Sequence, residues 1–258
     1  MVVRRLSQAI REQNWFTVLV EFVIVVAGIF VALQVDGWNE ARKERVLERR
    51  YLERLHQDLV QDIDEMKYGE RLSSQRKEMG QMLLRAADDP EIAEFDPDSF
   101  IIAIEQAGYT FVPAVNDSTF EEIKFAGNLG IIRNEGLRGQ ISAYYKLIER
   151  YQQWSYLREF WQTTYAHLGL GILTPEQQMA IPPVRRYNDP DLPVENPDFT
   201  REEAAEALER MLSRPDFVAH IPRASGKGLE LANIRTWLRA AEDLKTAIEV
   251  ELGNSAQY

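Results

Sequence analysis

The chain has few residues able to do bond-making chemistry, and their spacing is poor for it. Its three histidines, His56, His167 and His220, occur in no H-x-x-x-H or H-E-x-x-H arrangement that would set two imidazoles on one helix face around zinc. Cysteine is absent, which removes thiolate nucleophiles, cysteine metal sites and disulfides together. Ser225-Gly226-Lys227-Gly228 carries a glycine-lysine pair. It lacks the upstream glycine and the Ser/Thr after lysine that a phosphate-binding loop uses, and reads as a flexible lead-in to a helix. No G-x-S-x-G elbow or G-x-G-x-x-G turn is present, so acyl transfer and dinucleotide binding have no local signature. Acids such as Asp58, Asp62, Asp64 and Glu65 could pair for acid-base work, but the pattern reads as a solvated helix face. Asp88-Asp89 and Asp189-Pro190-Asp191 lack the alternating ligands and distal glutamate of a calcium loop and read as turns. No catalytic residue, metal ligand set or cofactor site emerges, and the balance leans against an enzyme.

The residue that stands out is Glu21. It is the only ionisable side chain in Trp15–Val35, WFTVLVEFVIVVAGIFVALQV. About twenty such residues, at 1.5 Å each, cross a hydrocarbon layer of roughly 30 Å. Trp15 and Trp38 bracket the run as interfacial anchors. A buried core helix seldom needs so long an apolar run, and a cleaved leader would need a small-x-small site that is missing. Residues 15–36 are therefore expected to form a retained transmembrane helix, preceded by a short basic tail, 1–14. A membrane carboxylate needs a partner or a place near the interface. On a helix, Glu21, Val25, Gly28 and Ala32 share one stripe, and small residues four apart let helices approach closely. That stripe is expected to meet another transmembrane helix; the alternative is that Glu21 reaches the headgroups.

The charge is divided unevenly. Residues 1–50 are net +2 and the remainder −13, within a total of −11. So acidic a chain is a poor match for nucleic acid, which needs basic surface to replace counterions. Arg4, Arg5 and Arg11 precede the span, while Arg42, Lys43, Arg45, Arg49 and Arg50 follow it, close to a draw on the positive-inside rule. A short tail with three arginines is awkward to export, so the domain is expected outside the cytoplasm.

Beyond Trp38 the pattern stays helical, with Leu52, Leu55, Leu59, Ile63 and Met66 spaced by three or four. Residues 37–87 are read as a juxtamembrane helix that packs into a helical soluble domain, 88–258. Asp96-Pro97 starts a helix that Gly108 ends, NDSTFEE opens another that Gly127 ends, and Asn134 caps a third over about Glu135–Leu168. The third carries Tyr144, Tyr145, Tyr151, Trp154, Tyr156, Phe160, Trp161 and Tyr165, read as core in preference to a ligand pocket. Thr174-Pro175 starts a short helix, a proline-rich crossing occupies 182–197, and Thr200 with Glu203 forms a capping box. The last helix, about Leu229–Leu252, repeats Leu231, Ile234, Leu238, Ala241, Leu244 and Ile248 on one side. The fold class is all-α: one N-terminal transmembrane helix continuing into a helical-bundle-like soluble domain.

Glu21, Gly28, Ile29, Ala32, Leu33, Gln34, Trp38, Asn39 and Glu40 match E…GIxxALQxxxWNE, the hallmark of a bacterial family of uncharacterised single-span membrane proteins, which the chain resembles. Thr119, Gly127 to Leu129, Ile132 to Asn134, Tyr144 and Tyr145 match that family's central pattern. The resemblance covers about the first 165 residues and implies topology without an activity. Three functional readings follow. The first is a non-enzymatic component of the bilayer that forms a homo-oligomer or binds a membrane partner protein through its transmembrane face and helical domain. The second is an ion-coupled pore or stator-like subunit using Glu21. The third is a tethered enzyme whose site the sequence does not reveal.

Overall fold

A computed structural model of the protein describes residues 15–109, 111, 113–153, 155–182, 197–225 and 229–255, and the proline-rich crossing falls largely outside them. Every regular element among these residues is helical. In chain order they are α1 (Trp15–Asp88), α2 (Glu91–Phe95), α3 (Pro97–Gln106), α4 (Ser118–Phe125), a 3-10 turn (Asn128–Ile131), α5 (Glu135–Gln152), α6 (Ser155–Gly169), α7 (Pro175–Ala180), α8 (Arg201–Leu212), α9 (Pro215–Ala224) and α10 (Leu229–Ser255). The chain divides into two compact units, residues 1–52 and 53–258.

In the first unit α1 carries the apolar run. Among the described residues it is the one helix long and apolar enough to cross a membrane, and no part of its most apolar window is buried. Phe22, Ile24, Phe30 and Leu33 are each more than 60% exposed.

The second unit has the core. Leu55, Leu59 and Met66 of α1 are buried, as their spacing requires of one helix face. A larger apolar cluster joins Leu83 and Ala86 of α1 to Phe100, Ile101 and Ile104 of α3, Ala204, Leu208 and Met211 of α8, and Phe217 and Ile221 of α9. Helix α8 packs on α2, α3 and α9, α9 on α6, and α10 on α5. Ile234, Ala241, Leu244 and Ile248 of the expected α10 stripe are buried, together with Trp237.

The starts and stops of these helices have local causes. Asp96 accepts from the Ser99 backbone N–H at 3.1 Å with Pro97 at the first helical position, and Asn134 accepts from Leu137 N–H at 3.1 Å. Thr174/Gln177 and Thr200/Glu203 form full capping boxes. Gly127 ends α4 with φ +67°, a backbone state that glycine adopts without strain. The expected cap at the start of α4 differs: Asp117 has helical backbone angles and its side chain makes no cap.

The helix read over Glu135–Leu168 is two helices, α5 ending at Gln152 and α6 beginning at Ser155. Seven residues along a straight helix are separated by about 10.5 Å. The interruption lets the Arg158 guanidinium fold back to 3.9 Å above the Tyr151 ring, which itself meets Trp237 edge-on at 4.1 Å. The aromatic series is also divided in its burial. Tyr144, Tyr145 and Tyr165 are core, whereas Tyr156 and Phe160 are exposed, against the reading of the whole series as core. Two short helices were not read from the sequence: α2, only five residues long, and α9, which buries Phe217, Ile221 and Ala224 at spacings of four and three.

Gly108, just beyond α3, lies against the Tyr165 ring, so a Cβ there would collide with ring carbons. Tyr165 is pinned in turn by its hydroxyl, which donates to the Ile104 carbonyl at 2.9 Å. Gly108→Ala should therefore destabilise the protein by about 1–3 kcal/mol in chemical denaturation, the usual cost of overpacking. Unchanged stability would show that Tyr165 can move aside.

Candidate functional site

On α1, Glu21, Val25, Gly28 and Ala32 are all exposed within the protein's own chain. A Cβ added at Gly28 would meet nothing within 4 Å, so that side of the helix is open to another helix or to lipid. Trp38, at the far end of the run, is 66% exposed, and Trp15 stands in the first turn of α1. The structure thus places the four residues together on a surface that this chain leaves uncovered.

The second polar arrangement was misread from sequence. The sequence pattern reads Asp58, Asp62, Asp64 and Glu65 as one solvated face, whereas in the fold Asp62 is fully buried. Its place follows from helix geometry: it stands seven residues after Leu55, three after Leu59 and four before Met66, on the buried stripe itself. A carboxylate at that register is the signal that could have identified it.

Asp62 is held by designed-looking donors from two other parts of the fold. Its Oδ1 accepts from Asn116 N–H at 2.8 Å and from Asn116 Nδ2 at 3.0 Å, while Oδ2 accepts from Tyr144 Oη at 2.9 Å. Tyr145 donates to the Asn116 carbonyl at 3.3 Å and stacks on Phe120 with centroids 4.2 Å apart. Asp62 therefore ties the segment before α4, and α5, onto α1. Burial pushes the Asp62 carboxyl above its ordinary pKa of 3.8, helped by the charge of Asp58, while the three hydrogen bonds oppose the shift. Burial, followed by the negative Asp62, drives the Tyr144 hydroxyl far upward, so it stays a donor.

A second buried group lies farther along α1. Arg76 Nη1 donates to Gln106 Oε1 at 3.1 Å, and Gln106 Nε2 donates to the Pro182 carbonyl at 3.3 Å. Tyr109 donates to Glu105 at 3.3 Å, and burial raises the Glu105 carboxyl pKa. Beside Asp62, α5 and α10 border an open groove of about 700 Å³ lined by Leu137, Gln140, Tyr144, Leu147, Leu244 and Val250 among others. Tyr144 is thus the one member of the aromatic series that also lines this groove. Among the described residues no group of three or more histidines, aspartates and glutamates is placed to hold a metal ion.

Compared with family models, curated proteins and solved structures, the chain matches none of the three. The residues that carry the family resemblance nevertheless fall at defined places. Thr119, Tyr144 and Tyr145 are buried, Gly127 supplies the left-handed stop and Asn134 the α5 cap.

Asp62 yields a prediction with a definite sign. Because folding raises its pKa, the folded protein keeps a proton that the unfolded chain releases as pH rises above 3.8. Stability therefore falls with pH until the folded pKa is passed. Asp62→Asn lacks this component, so wild-type stability should decline relative to Asp62→Asn as pH rises above the ordinary carboxyl pKa of 3.8, in urea titrations of the full chain in detergent. Parallel curves would contradict it. Tyr144→Phe should cost about 1–3 kcal/mol by leaving Oδ2 without its donor.

Proposed function

We propose that the protein is a non-enzymatic membrane component, anchored by α1 as a single span in a bacterial inner membrane with its helical domain on the periplasmic side. It assembles with another copy or with a membrane partner through the face of Glu21, Val25, Gly28 and Ala32. The observation that carries this reading is an apolar surface from Leu19 to Val35 that stands exposed, interrupted by the carboxylate of Glu21, the amide of Gln34 and the small residues Ala27, Gly28 and Ala32. In water so much uncovered apolar area is unfavourable, and in lipid a lone carboxylate is unfavourable. Burial of the Glu21 stripe against a second helix within the bilayer relieves both. The likeness to the single-span family supports the topology, and the groove between α5 and α10 gives the helical domain a surface on which to bind a partner.

Single cysteines placed at each position from 19 to 35 test the assembly. Disulfide crosslinking in membranes should peak at 21, 25, 28 and 32, with troughs between them; a flat profile would contradict the shared face. A Cβ at Gly28 meets nothing within 4 Å, so Gly28→Ile should fold normally yet lower crosslinking from Ala32→Cys about tenfold, for a loss near 1.4 kcal/mol.

A further inference from the structure

We infer that the segment of α1 from Trp38 to Arg50 is a binding face for anionic phospholipid headgroups, an inference that rests on α1 crossing the bilayer over residues 15–36. Five bases, Arg42, Lys43, Arg45, Arg49 and Arg50, follow the apolar run within fifteen residues, and the structure keeps this stretch helical. At 3.6 residues per turn they occupy an arc of about 160°, whereas Glu40, Glu44 and Glu48, four apart, lie on the opposite side. Trp38 falls on the basic side, in line with Arg42, Arg45 and Arg49.

Four of the five bases on this side are open to a ligand. Among the described residues Arg42, Lys43, Arg45 and Arg50 form no ion pair, and all four are exposed. With Asn39, Val46 and Leu47, three of them (Arg42, Lys43 and Arg50) outline a shallow recess of about 320 Å³ on the helix surface, wide enough for a phosphate and its ester oxygens. A protein surface elsewhere usually interleaves acids with bases; here the two signs are sorted to opposite sides.

Depth and direction match a lipid partner. From Trp38, Arg42 lies about 6 Å farther along the helix axis and Arg45 about 10 Å. The headgroup layer extends roughly 5–8 Å beyond the hydrocarbon. Helical side chains lean toward the N-terminus, which here is toward the apolar run, so long arginine and lysine stems reach back to phosphate level. A tilt of about 20°, ordinary for a single span, would lower the basic side onto the headgroups and lift the acidic side away.

The test is native mass spectrometry of the full chain in mild detergent with equal phosphatidylglycerol and phosphatidylcholine, alongside carbonate extraction from membranes. Wild-type protein should retain phosphatidylglycerol over phosphatidylcholine by about tenfold. The combined variant Arg42→Gln, Lys43→Gln, Arg45→Gln, Arg50→Gln should fall below about twofold, while Glu40→Gln, Glu44→Gln, Glu48→Gln should keep the preference. Raising the salt to about 1 M should erase the wild-type preference, an arm that decides the matter even if the basic variant does not accumulate. Excess inorganic phosphate should not displace the lipid; displacement would reassign the site to a soluble anion and overturn the inference. A carbonate-resistant wild type with no lipid preference, or a basic variant that keeps the preference, would overturn it while leaving the span intact. Extraction of the wild type by carbonate would remove the span and this inference together.

Discussion

The constraint on which the rest depends is that one helix must serve two surroundings without changing its backbone. Helix α1 satisfies its own peptide groups along its length, so its environment is decided wholly by side chains. From Leu19 to Val35 those side chains are apolar or small except Glu21 and Gln34, and nearly all are exposed; from Glu53 onward one stripe of them is core. The first stretch is long and apolar enough to cross a membrane, the surroundings proposed for it above. The second needs the shorter helices, whose caps and turns are arranged to bring their own apolar stripes against it or against one another.

Buried polar groups fix which arrangement of those helices is adopted. Apolar stripes alone tolerate sliding and rotation, but Asp62 can be buried only if Asn116 and Tyr144 arrive with their donors. Arg76 sets a similar demand on Gln106 at the end of α3. Arg158 is buried with no ion pair among the described residues, and the face of Tyr151 supplies the electron-rich surface in place of an anion. These groups act as registers for the fold, and Tyr144, which donates to Asp62, also reaches the groove between α5 and α10.

Much of this was legible in the sequence where the cause is local. The Asp96-Pro97 start, both capping boxes, the Gly127 stop and the apolar stripes of α1 and α10 follow from residue types within a turn of the feature. The break between α5 and α6 was not legible, because neither glycine nor proline marks it and the contact beneath it, Arg158 over Tyr151, is tertiary. Asp62 was read as solvated although its register relative to Leu55, Leu59 and Met66 places it inside; a carboxylate there makes sense only once the donors from beyond residue 110 are in position. The alignment of Glu21, Val25, Gly28 and Ala32 was readable because it depends on helical periodicity alone, whereas what meets that face does not follow from periodicity.

The central claim, that the Glu21 face is covered by another helix in the membrane, is most directly tested by the native mass of the detergent-solubilised protein with any copurifying subunits. The account predicts a particle whose protein mass is a multiple of 29.8 kDa or includes a second membrane protein in fixed ratio. A strictly monomeric particle of 29.8 kDa, extracted in a detergent that preserves known membrane complexes, would contradict it.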